Sequence, residues 1–230
     1  MGAYRVHQEW DFVGAGEAFE RAKVLNPNLS GIYGTEYVWY LAYIGKTEEA
    51  IIEAKRLMQV DPLSYTTRMT ANYAYYCAGQ FSEAIELCKR TLELEPQNIY
   101  VYEDLAKNYE QMSLYRKAHN IRLSALKISG VAGEAITVYD SLYNILEAKA
   151  YPQWLRTNRD ILSGWGYNSL CFEAWIYTRL GENENALSLL EKAYDEKEGE
   201  LVTLKIDPKW DPLREEIRFQ RLLERMNFPN

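Results

Sequence analysis

The side chains in this sequence that could take part in catalysis or bind a metal ion are few and scattered. There are two histidines, His7 and His119, and three cysteines, Cys77, Cys88 and Cys171. Neither histidine lies beside a serine or cysteine motif, and there is no glycine-rich phosphate loop or HExxH motif. The cysteines form no CxxC pair, which argues against a disulfide framework and against a zinc site. We therefore expect no catalytic residue, no bound metal, no cofactor, and reduced intracellular thiols.

Acidic residues that are adjacent in the sequence also favour a structural role. The pairs are Glu48-Glu49, Glu103-Asp104 and Glu215-Glu216. Neighbours on an α-helix point about 100° apart because one turn takes about 3.6 residues, so such pairs are typical of solvated faces. His119 is expected at the surface or partly packed, and Cys88 as a packed thiol. The prediction is that this protein is not an enzyme.

The charge balance argues against two classes of partner for this region. Acidic residues outnumber basic ones 33 to 26, and the formal net charge is −7 at pH 7. Binding to nucleic-acid phosphates or to an anionic membrane surface needs clustered Lys and Arg. No stretch approaches the roughly 20 apolar residues of a membrane-spanning helix, and the first residues lack an apolar signal core. We expect a cytoplasmic protein that binds neither nucleic acid nor membrane.

The elements that position these side chains follow from a repeat of 34 residues. Tyrosines recur at this interval, and alanines follow the same interval with one position missing: Tyr75, Tyr109, Tyr143 and Tyr177; Ala50, Ala84, Ala118 and Ala186. A fixed period in this range indicates stacked copies of one supersecondary unit rather than a single globular core. Stacked-repeat proteins usually work by presenting a surface, so the period bears on function as well as on fold.

Each unit of the repeat reads as a helical hairpin. In residues 31–64, apolar Tyr37, Val38 and Leu41 have the spacing of one helix face. Gly45 follows, where a left-handed residue can end a helix without a Cβ clash. A second helix then runs until Asp61-Pro62, because proline cannot continue the helical hydrogen bonding. The alanines that recur at the 34-residue interval, which we call the alanine column, let the second helix approach the first closely.

This pattern resembles the tetratricopeptide repeat (TPR), in which a small residue and a tyrosine on the first helix precede a turn glycine, alanines on the second helix and a terminal proline. Two other repeat families fit worse. Ankyrin repeats would need a TPLH-like turn, which is absent, and pentatricopeptide RNA readers would be expected to carry a basic groove, whereas acidic residues are in excess here. The resemblance implies an all-α fold, a right-handed α-α superhelical solenoid of TPR hairpins with a C-terminal capping helix.

We predict a single solenoid over residues 1–230. Residues 1–30 form a partial first repeat with its second helix around Ala15, Phe19 and Ala22 and its stop at Pro27. Regular repeats cover 31–64, 65–98 and 99–132, a divergent repeat 133–166, and a last repeat 167–197. In the divergent repeat, Pro152 stands where the alanine column predicts alanine, so a long first helix over about 134–149 and a second helix from near Pro152 to the Gly164-Trp165-Gly166 turn are expected. Residues 198–230 are predicted to form an extended segment and a capping helix over about 214–226.

The two ends of the chain narrow the resemblance. The stretches WDFVGAGEAFERAKVLNPN and LLEKAYDEKEGELVTLKIDPKWDPLREEIRFQRLLERMNFP are similar to the C-terminal TPR arrays of multidomain bacterial signalling proteins. In that group such arrays follow winged-helix regulators, Ser/Thr kinases, nucleotide cyclases or TolB-like segments. Glu215-Glu216-Ile217 departs from the Ser-Asp-Pro-like start that the group often has in its last helix, which leaves the start of that helix open.

The resemblance also implies a binding groove, since in such arrays the first helices line the concave side. Steps of 34 residues along these helices give an aromatic N-terminal half and a charged, mostly acidic middle. The predicted groove residues are Trp39, Tyr43, Met69, Tyr73, Tyr76, Glu103, Lys107, Glu110 and Trp175. Exposed aromatic residues on a rigid concave surface are typical anchors for a peptide. The alternative is that Trp39, Tyr73 and Trp175 pack between hairpins.

Two functions remain open from the sequence. The first is a protein–protein interaction scaffold, the regulatory or interaction region of a bacterial signalling or transcription-regulatory protein, that binds a protein or peptide in its groove. The second is a ligand-sensing domain that binds a small molecule or peptide there and signals to an attached output domain. An open aromatic trough would favour the first and a deep closed pocket the second. The incomplete first hairpin also predicts self-association through Phe12, Val13 and Phe19.

Overall fold

The computed structural model describes residues 1–26, 31–158 and 169–229, and within these ranges the fold is all-α with no strand. The helices are α1 Gly2–Tyr4, α2 Phe12–Leu25, α3 Gly31–Tyr43, α4 Thr47–Val60, α5 Tyr65–Cys77, α6 Phe81–Leu94, α7 Ile99–Gln111, α8 Tyr115–Ile128, α9 Gly133–Leu146, α10 Ala150–Thr157, α11 Leu170–Leu180, α12 Asn183–Asp195 and α13 Ile217–Met226. A π-helical turn covers Arg5–Glu9, and 3-10 turns cover Glu147–Lys149, Gly199–Thr203 and Pro208–Leu213.

Consecutive helices pack as antiparallel hairpins, and the hairpins stack into the predicted solenoid. The alanine column lies where the two helices of a hairpin meet, and its four members, Ala50, Ala84, Ala118 and Ala186, are at most 1% exposed. Side-chain caps begin several of the first helices: the Ser64 hydroxyl accepts a hydrogen bond from the Thr67 backbone, and Ser169 does the same for Phe172. Such caps satisfy amides that have no partner within the helix.

A residue with a positive φ recurs every 34 residues in the turns inside the hairpins, even where that residue is not glycine. A positive φ occurs at Gly45, Gly79 and Gly181, and between them at Ser113 (60°) and Glu147 (46°). Glycine adopts this region at no steric cost, whereas other residues are strained there. In the divergent repeat the positive φ keeps the interval but the turn conformation differs, because Glu147 has a ψ of −113° and begins a 3-10 turn, whereas Gly181 has a ψ of 19°.

The divergent hairpin has different helix limits from those predicted. Helix α9 ends at Leu146, three residues early, and α10 begins at Ala150, so that Pro152 lies in its first turn. Proline is tolerated there because the first amides of a helix have no acceptor within it. Tyr139, Tyr143 and Trp154 pack together in this hairpin's own core. The predicted turn at Gly164-Trp165-Gly166 and the predicted stop at Pro27 lie outside the described residues.

The solenoid curves so far that its two ends meet. One hydrophobic core joins the first hairpins to the C-terminal residues and includes Val6, Leu201 and Trp210. The indole of Trp10 lies 5.0 Å from the Tyr194 ring, and the Phe12 ring lies 4.7 Å from that of Phe228. The described chain therefore closes on itself, and elements from both halves of the sequence bound its inner surface.

The C-terminal residues that close the ring are not extended, contrary to the sequence prediction. Gly199–Thr203 forms a 3-10 turn instead of an extended segment, and a second 3-10 turn follows over Pro208–Leu213. A Cβ at Gly199 would lie 3.0 Å from the backbone oxygen of His7, which leaves room for little more than a hydrogen. Helix α13 begins at Ile217, later than predicted, and buries Phe219, one of the apolar residues expected of a capping helix.

Closure also covers much of the surface expected to drive self-association. Phe12 is 2% exposed and Phe19 is 6% exposed, whereas Val13 is 68% exposed. The exposure expected of the two phenylalanines was wrong, because Gly2 packs against Phe19 and Phe228 against Phe12, while self-association itself stays a prediction. Among the described residues, no helix has both the length and the apolar character needed to cross a bilayer.

Candidate functional site

The inner surface of the ring contains a cavity of about 150 Å³. Four helices and the C-terminal turns line it, each from a different part of the sequence. The lining residues are Asn72, Tyr73 and Tyr76 on α5, Glu103, Asp104, Lys107, Asn108, Glu110 and Gln111 on α7, Tyr151 on α10, Phe172, Trp175 and Arg179 on α11, and Glu200, Asp207 and Lys209 from the C-terminal residues.

Six of the nine predicted groove residues lie around this cavity. They are Tyr73, Tyr76, Glu103, Lys107, Glu110 and Trp175. The other three do not line it: Trp39 and Tyr43 pack in the core that joins the two ends, and Met69 packs against the core of the next hairpins. Stepping along the first helices thus gave six residues that line the cavity and three that do not, and the part of all nine in partner binding stays a prediction.

The aromatic half of the predicted groove is covered rather than open. Tyr43 and Tyr76 are each 7% exposed, and Tyr43 and Tyr73 lie edge to face with ring centroids 6.2 Å apart. Burial raises the pKa of the Tyr43, Tyr73 and Tyr76 hydroxyls well above the ordinary value, and the nearby carboxylate of Asp207 adds to it. Trp39, Tyr73 and Trp175 are half-buried. The C-terminal residues therefore occupy the place where an open trough was expected.

The acidic middle of the groove is neutralised by a buried arginine that the sequence prediction missed. Arg122 on α8 donates from Nε to Glu103 Oε2 at 3.2 Å and from Nη1 to Glu110 Oε1 at 2.5 Å. Its guanidinium carbon lies 4.0 Å from the centre of the Tyr151 ring, and the Tyr151 hydroxyl donates to Glu103 at 2.8 Å. Glu103 is 5% exposed, so its expected place on a solvated face was wrong.

The pKa of Glu110 is set by two opposing effects. Burial raises it, but the positive charges of Arg122 and Arg179 outweigh burial and hold the pKa below its usual range. Arg179 Nη2 lies 3.5 Å from Oε2 of Glu110, the carboxylate oxygen that Arg122 leaves free. The carboxylate is therefore ionised at neutral pH and belongs to a hydrogen-bonded network, not to an acid–base pair.

Two further ion pairs lie on the cavity wall. Lys107 Nζ is 3.4 Å from Asp104, and Lys209 Nζ is 3.5 Å from Asp207. Burial raises the pKa of Asp104 despite the charge of Lys107. The middle of the groove was expected to be mostly acidic, and the structure adds three cations to Lys107 there: Arg122, Arg179 and Lys209. Lys209 and Arg122 lie outside the first helices, so the 34-residue stepping could not find them.

Asn72 and Asn108 form a buried polar contact beneath the cavity. Asn108 Nδ2 donates to Asn72 Oδ1 at 3.2 Å and to the backbone oxygen of Asp104 at 2.8 Å. The Cys88 thiol donates to the same Asn72 oxygen at 3.2 Å. Asn108 is 1% exposed, and its Oδ1 has no hydrogen-bond partner among the described residues. Because Nδ2 faces two acceptors, the amide cannot be turned over, and Oδ1 remains an unused acceptor.

His119 and the three cysteines are packed residues. His119 is 2% exposed, its ring centre lies 4.0 Å from that of Tyr143 and its Nε2 lies 2.8 Å from Asp140 Oδ1, so of the two expected positions, at the surface or partly packed, the structure shows a packed one. Burial lowers the pKa of its imidazole. Burial raises the pKa of all three cysteine thiols, which keeps them protonated.

One group of possible metal ligands occurs among the described residues. Cys171, Glu198 and Glu200 have ligand atoms within 4.8 Å of one another. Glu198 is already engaged, because its carboxylate accepts the backbone amides of Leu170 and Cys171 at the start of α11. The Ser169 hydroxyl donates to Glu200 in a short contact. The arrangement is explained as the N-terminal cap of a helix.

Comparison with known proteins shows a similarity to a protein that contains tetratricopeptide repeats. Over 103 residues, or 45% of the chain, the sequence is 31% identical to small glutamine-rich tetratricopeptide repeat-containing protein 2 of Mycosarcoma maydis. The matched stretch spans 29% of that relative. No protein-family model matches the chain. Together with the helical hairpins, this similarity supports a TPR-like protein and, at the level of general function, a protein-interaction scaffold.

Proposed function

We propose that this chain is a non-catalytic interaction scaffold that binds another protein or a peptide at the mouth of its central cavity. The observation that carries the proposal is the convergence of Tyr73, Lys107 and Trp175. These residues come from three hairpins, yet they line one cavity. Repeat proteins build binding surfaces in this way, from equivalent positions of successive units.

The accessible part of the inner surface decides which residues contact the partner. The side chain of Lys107 is 42% exposed and that of Lys209 is 25% exposed, and Trp175 is half-buried. Tyr43 and Tyr76 are enclosed and would be reached only if the C-terminal residues moved away. The proposed contact surface is therefore Lys107, Trp175 and Lys209, in which Trp175 is the half-buried aromatic anchor and the two lysines are cations of the same cavity lining.

The likeness of the two ends of the chain to bacterial TPR arrays supports a finer proposal. In this proposal the chain is the interaction region of a bacterial signalling or transcription-regulatory protein and contacts an attached effector domain or a separate partner. The C-terminal residues that carry the likeness, among them Asp207, Lys209 and Trp210, also close the ring, so the same segment would serve both the fold and the regulated surface.

Affinity capture with matched variants tests the proposal. The tagged chain is compared with Trp175→Ala and Lys209→Glu, and with Lys192→Glu on α12, whose side chain is 59% exposed and pairs with Glu196. We expect both cavity-mouth variants to lose a partner that the wild type and Lys192→Glu retain. Identical partner sets for all four proteins, each confirmed as folded by circular dichroism, would refute the proposal.

Ligand sensing is the second candidate, and one observation favours it. Glu200, Asp207 and Lys209 close the cavity on the side of the C-terminal residues, which makes the site a pocket rather than a trough. A bound small molecule would contact both the repeats and the closing segment, and it could thereby shift the closing segment between two positions. Ligand-dependent protection of residues 199–213 from hydrogen exchange would support this function, and unchanged protection at saturation would exclude it.

A further inference from the structure

The buried carboxylates around the central cavity already have cationic partners in the described part of the chain. Four carboxylates of the wall pair with an arginine or a lysine: Glu103, Asp104, Glu110 and Asp207. Glu200 also lines the cavity but is exposed, where water and salt screen its charge. A charged ligand would give up its hydration without gaining a buried counter-charge, so the cavity favours a neutral ligand.

Hydrogen-bonding groups of both kinds, by contrast, are left unused on the cavity wall. Asn108 on α7 is 1% exposed, and its Oδ1 accepts no hydrogen bond from any described residue. Arg179 Nε on α11 and the Tyr73 hydroxyl on α5 are buried without a nitrogen or oxygen partner in the same ranges. Arg122 Nη2 is a further such donor, but this residue does not line the cavity. Leaving buried polar groups unsatisfied is costly, so the wall calls for a ligand that both donates and accepts.

The positions of these groups on three different helices favour a carboxamide. The ligand must donate toward Asn108 on α7 and accept from Arg179 on α11 and Tyr73 on α5. A carboxamide does this with separate atoms, because its N–H bonds donate and its carbonyl oxygen has two lone pairs. A hydroxyl carries both functions on one oxygen, a carboxylate only accepts, and an ammonium group only donates.

The remaining walls suit a flat molecule about the size of one ring. Phe172 and Trp175 line the cavity, and their ring centroids lie 5.5 Å apart. Planar groups pack favourably against such rings in offset or edge-to-face arrangements. The volume of about 150 Å³ is below the range of about 300–1,000 Å³ that drug-sized ligands occupy, and a cavity of this size can hold one benzene ring.

We propose that the central cavity binds a small free molecule that carries a carboxamide group on a planar ring. The amide N–H donates to Asn108 Oδ1, the carbonyl oxygen accepts from Arg179 Nε and the Tyr73 hydroxyl, and the ring packs against Trp175. The ligand is a free molecule rather than the amide side chain of a partner, because the C-terminal residues close one side of the cavity. The inference rests on ligand sensing, the second function proposed above, and gives the chemical class of the ligand.

Four ring compounds of similar size test the donor and acceptor requirements. Benzamide, acetophenone, benzoate and benzylamine are added to the purified full chain, and binding is followed by calorimetry and by saturation-transfer NMR. We expect saturable binding of benzamide and at least roughly tenfold weaker binding of acetophenone, which keeps the carbonyl but has no N–H. The two charged compounds should show no saturable binding. Binding of any of the other three as tightly as benzamide would overturn the proposal, as would no saturable binding of benzamide.

Conservative variants locate the site. Arg179→Lys keeps a cation beside Glu110 but removes Nε, and Tyr73→Phe removes only the hydroxyl. Each is expected to weaken benzamide binding roughly tenfold, because the carbonyl oxygen loses one donor. The controls, Arg90→Lys on α6 and Tyr4→Phe on α1, change exposed side chains outside the cavity and should leave the affinity unchanged. Unchanged affinity in either cavity variant, with folding confirmed by circular dichroism, would overturn the assignment.

A capped Gly-Gly-Gln-Gly-Gly peptide distinguishes a free carboxamide from the side chain of a partner. We expect the peptide to bind at least roughly tenfold more weakly than benzamide, because its backbone does not fit the closed ring. Tighter binding of the peptide would overturn the proposal of a free ligand. Saturable binding of benzoate or benzylamine in place of benzamide, with protection of 199–213 from hydrogen exchange, would overturn this inference and leave ligand sensing standing.

Discussion

Replacing Arg122 by methionine tests whether the cavity floor is held by the buried ion network. The Arg122 side chain is 2% exposed, and those of its partners Glu103 and Glu110 are 6% and 8% exposed. Methionine fills a similar volume but leaves both carboxylates buried without this cation. Breaking a buried ion pair by removing one partner costs about 3–5 kcal/mol. That is a large part of the roughly 5–15 kcal/mol by which a domain of this kind is stable.

The assay is urea unfolding at pH 7.5 followed by circular dichroism. Arg122→Met is expected to lower the free energy of unfolding by about 3–5 kcal/mol. Glu103→Gln and Glu110→Gln, added together to Arg122→Met, are expected to restore most of it because they remove the uncompensated charges. Arg90→Met changes an exposed arginine of α6 and should shift the free energy of unfolding by no more than about 0.5 kcal/mol.

The pH dependence gives a second test with a definite sign. The pKa of Glu110 is lowered in the folded wild type, so its contribution to stability is complete above the unfolded pKa and is lost as the pH falls through the folded one. In Arg122→Met, burial without the arginine raises the pKa of this carboxyl, which then protonates earlier and loses its charge. The gap in stability between the two proteins should therefore narrow from pH 7.5 to about pH 4. The reasoning would be refuted if Arg122→Met lowered the free energy of unfolding by less than about 1 kcal/mol at pH 7.5. It would also be refuted if the triple variant with Glu103→Gln and Glu110→Gln were no more stable than Arg122→Met.

Three further predictions concern the turns, the ring closure and the buried histidine. Glu147→Gly should raise the free energy of unfolding by about 1 kcal/mol, because glycine adopts the positive φ without strain. Gly79→Ala, at the equivalent turn, should lower the free energy of unfolding by about 1 kcal/mol. Changes of the same sign in both variants would contradict this. Gly199→Val should loosen the contact with the first helical turn and increase hydrogen exchange there, whereas Gly133→Val, with open space around its Cβ position, should not. Because burial lowers the pKa of His119, folding stability falls as the pH drops below its unfolded value of about 6.5, and His119→Gln should lose less stability between pH 7 and pH 5; an unchanged slope would contradict this.

The sequence prediction succeeded for features that are set by the local sequence of each hairpin. The alanine column and the turn glycines are local requirements of a hairpin: a small residue where two helices touch, and a residue free to adopt a positive φ. These requirements recur in most units, so the repeat interval places Ala84, Gly79 and their equivalents, although Pro152, Ser113 and Glu147 stand at three of the positions. Trp175 and Lys107 were also placed on the inner surface, because positions 34 residues apart face the same way.

The features that the sequence prediction missed share one cause: each depends on how far the stack of hairpins curves. The sequence around Arg122 does not reveal that this side chain reaches the buried Glu103 and Glu110. An arginine on the outer surface of the same hairpin would have a similar local sequence. Likewise, the alternation of apolar and polar residues over 202–207 favours an extended segment, whereas Gly199–Thr203 and Pro208–Leu213 form 3-10 turns and Gly199 packs against His7. Short irregular segments take their shape from such tertiary contacts rather than from local propensity.

By itself, the sequence determined the all-helical hairpins, their 34-residue period, the small residues between paired helices and some of the side chains that line the cavity, among them Lys107 and Trp175. Only the tertiary structure decided that the two ends meet, with Phe12 against Phe228. That closure turns the expected aromatic trough into a small cavity with buried charges. The physical reason is that curvature accumulates from small rotations between successive hairpins, and these depend on the shapes of side chains packed between them, which a period along the chain does not record.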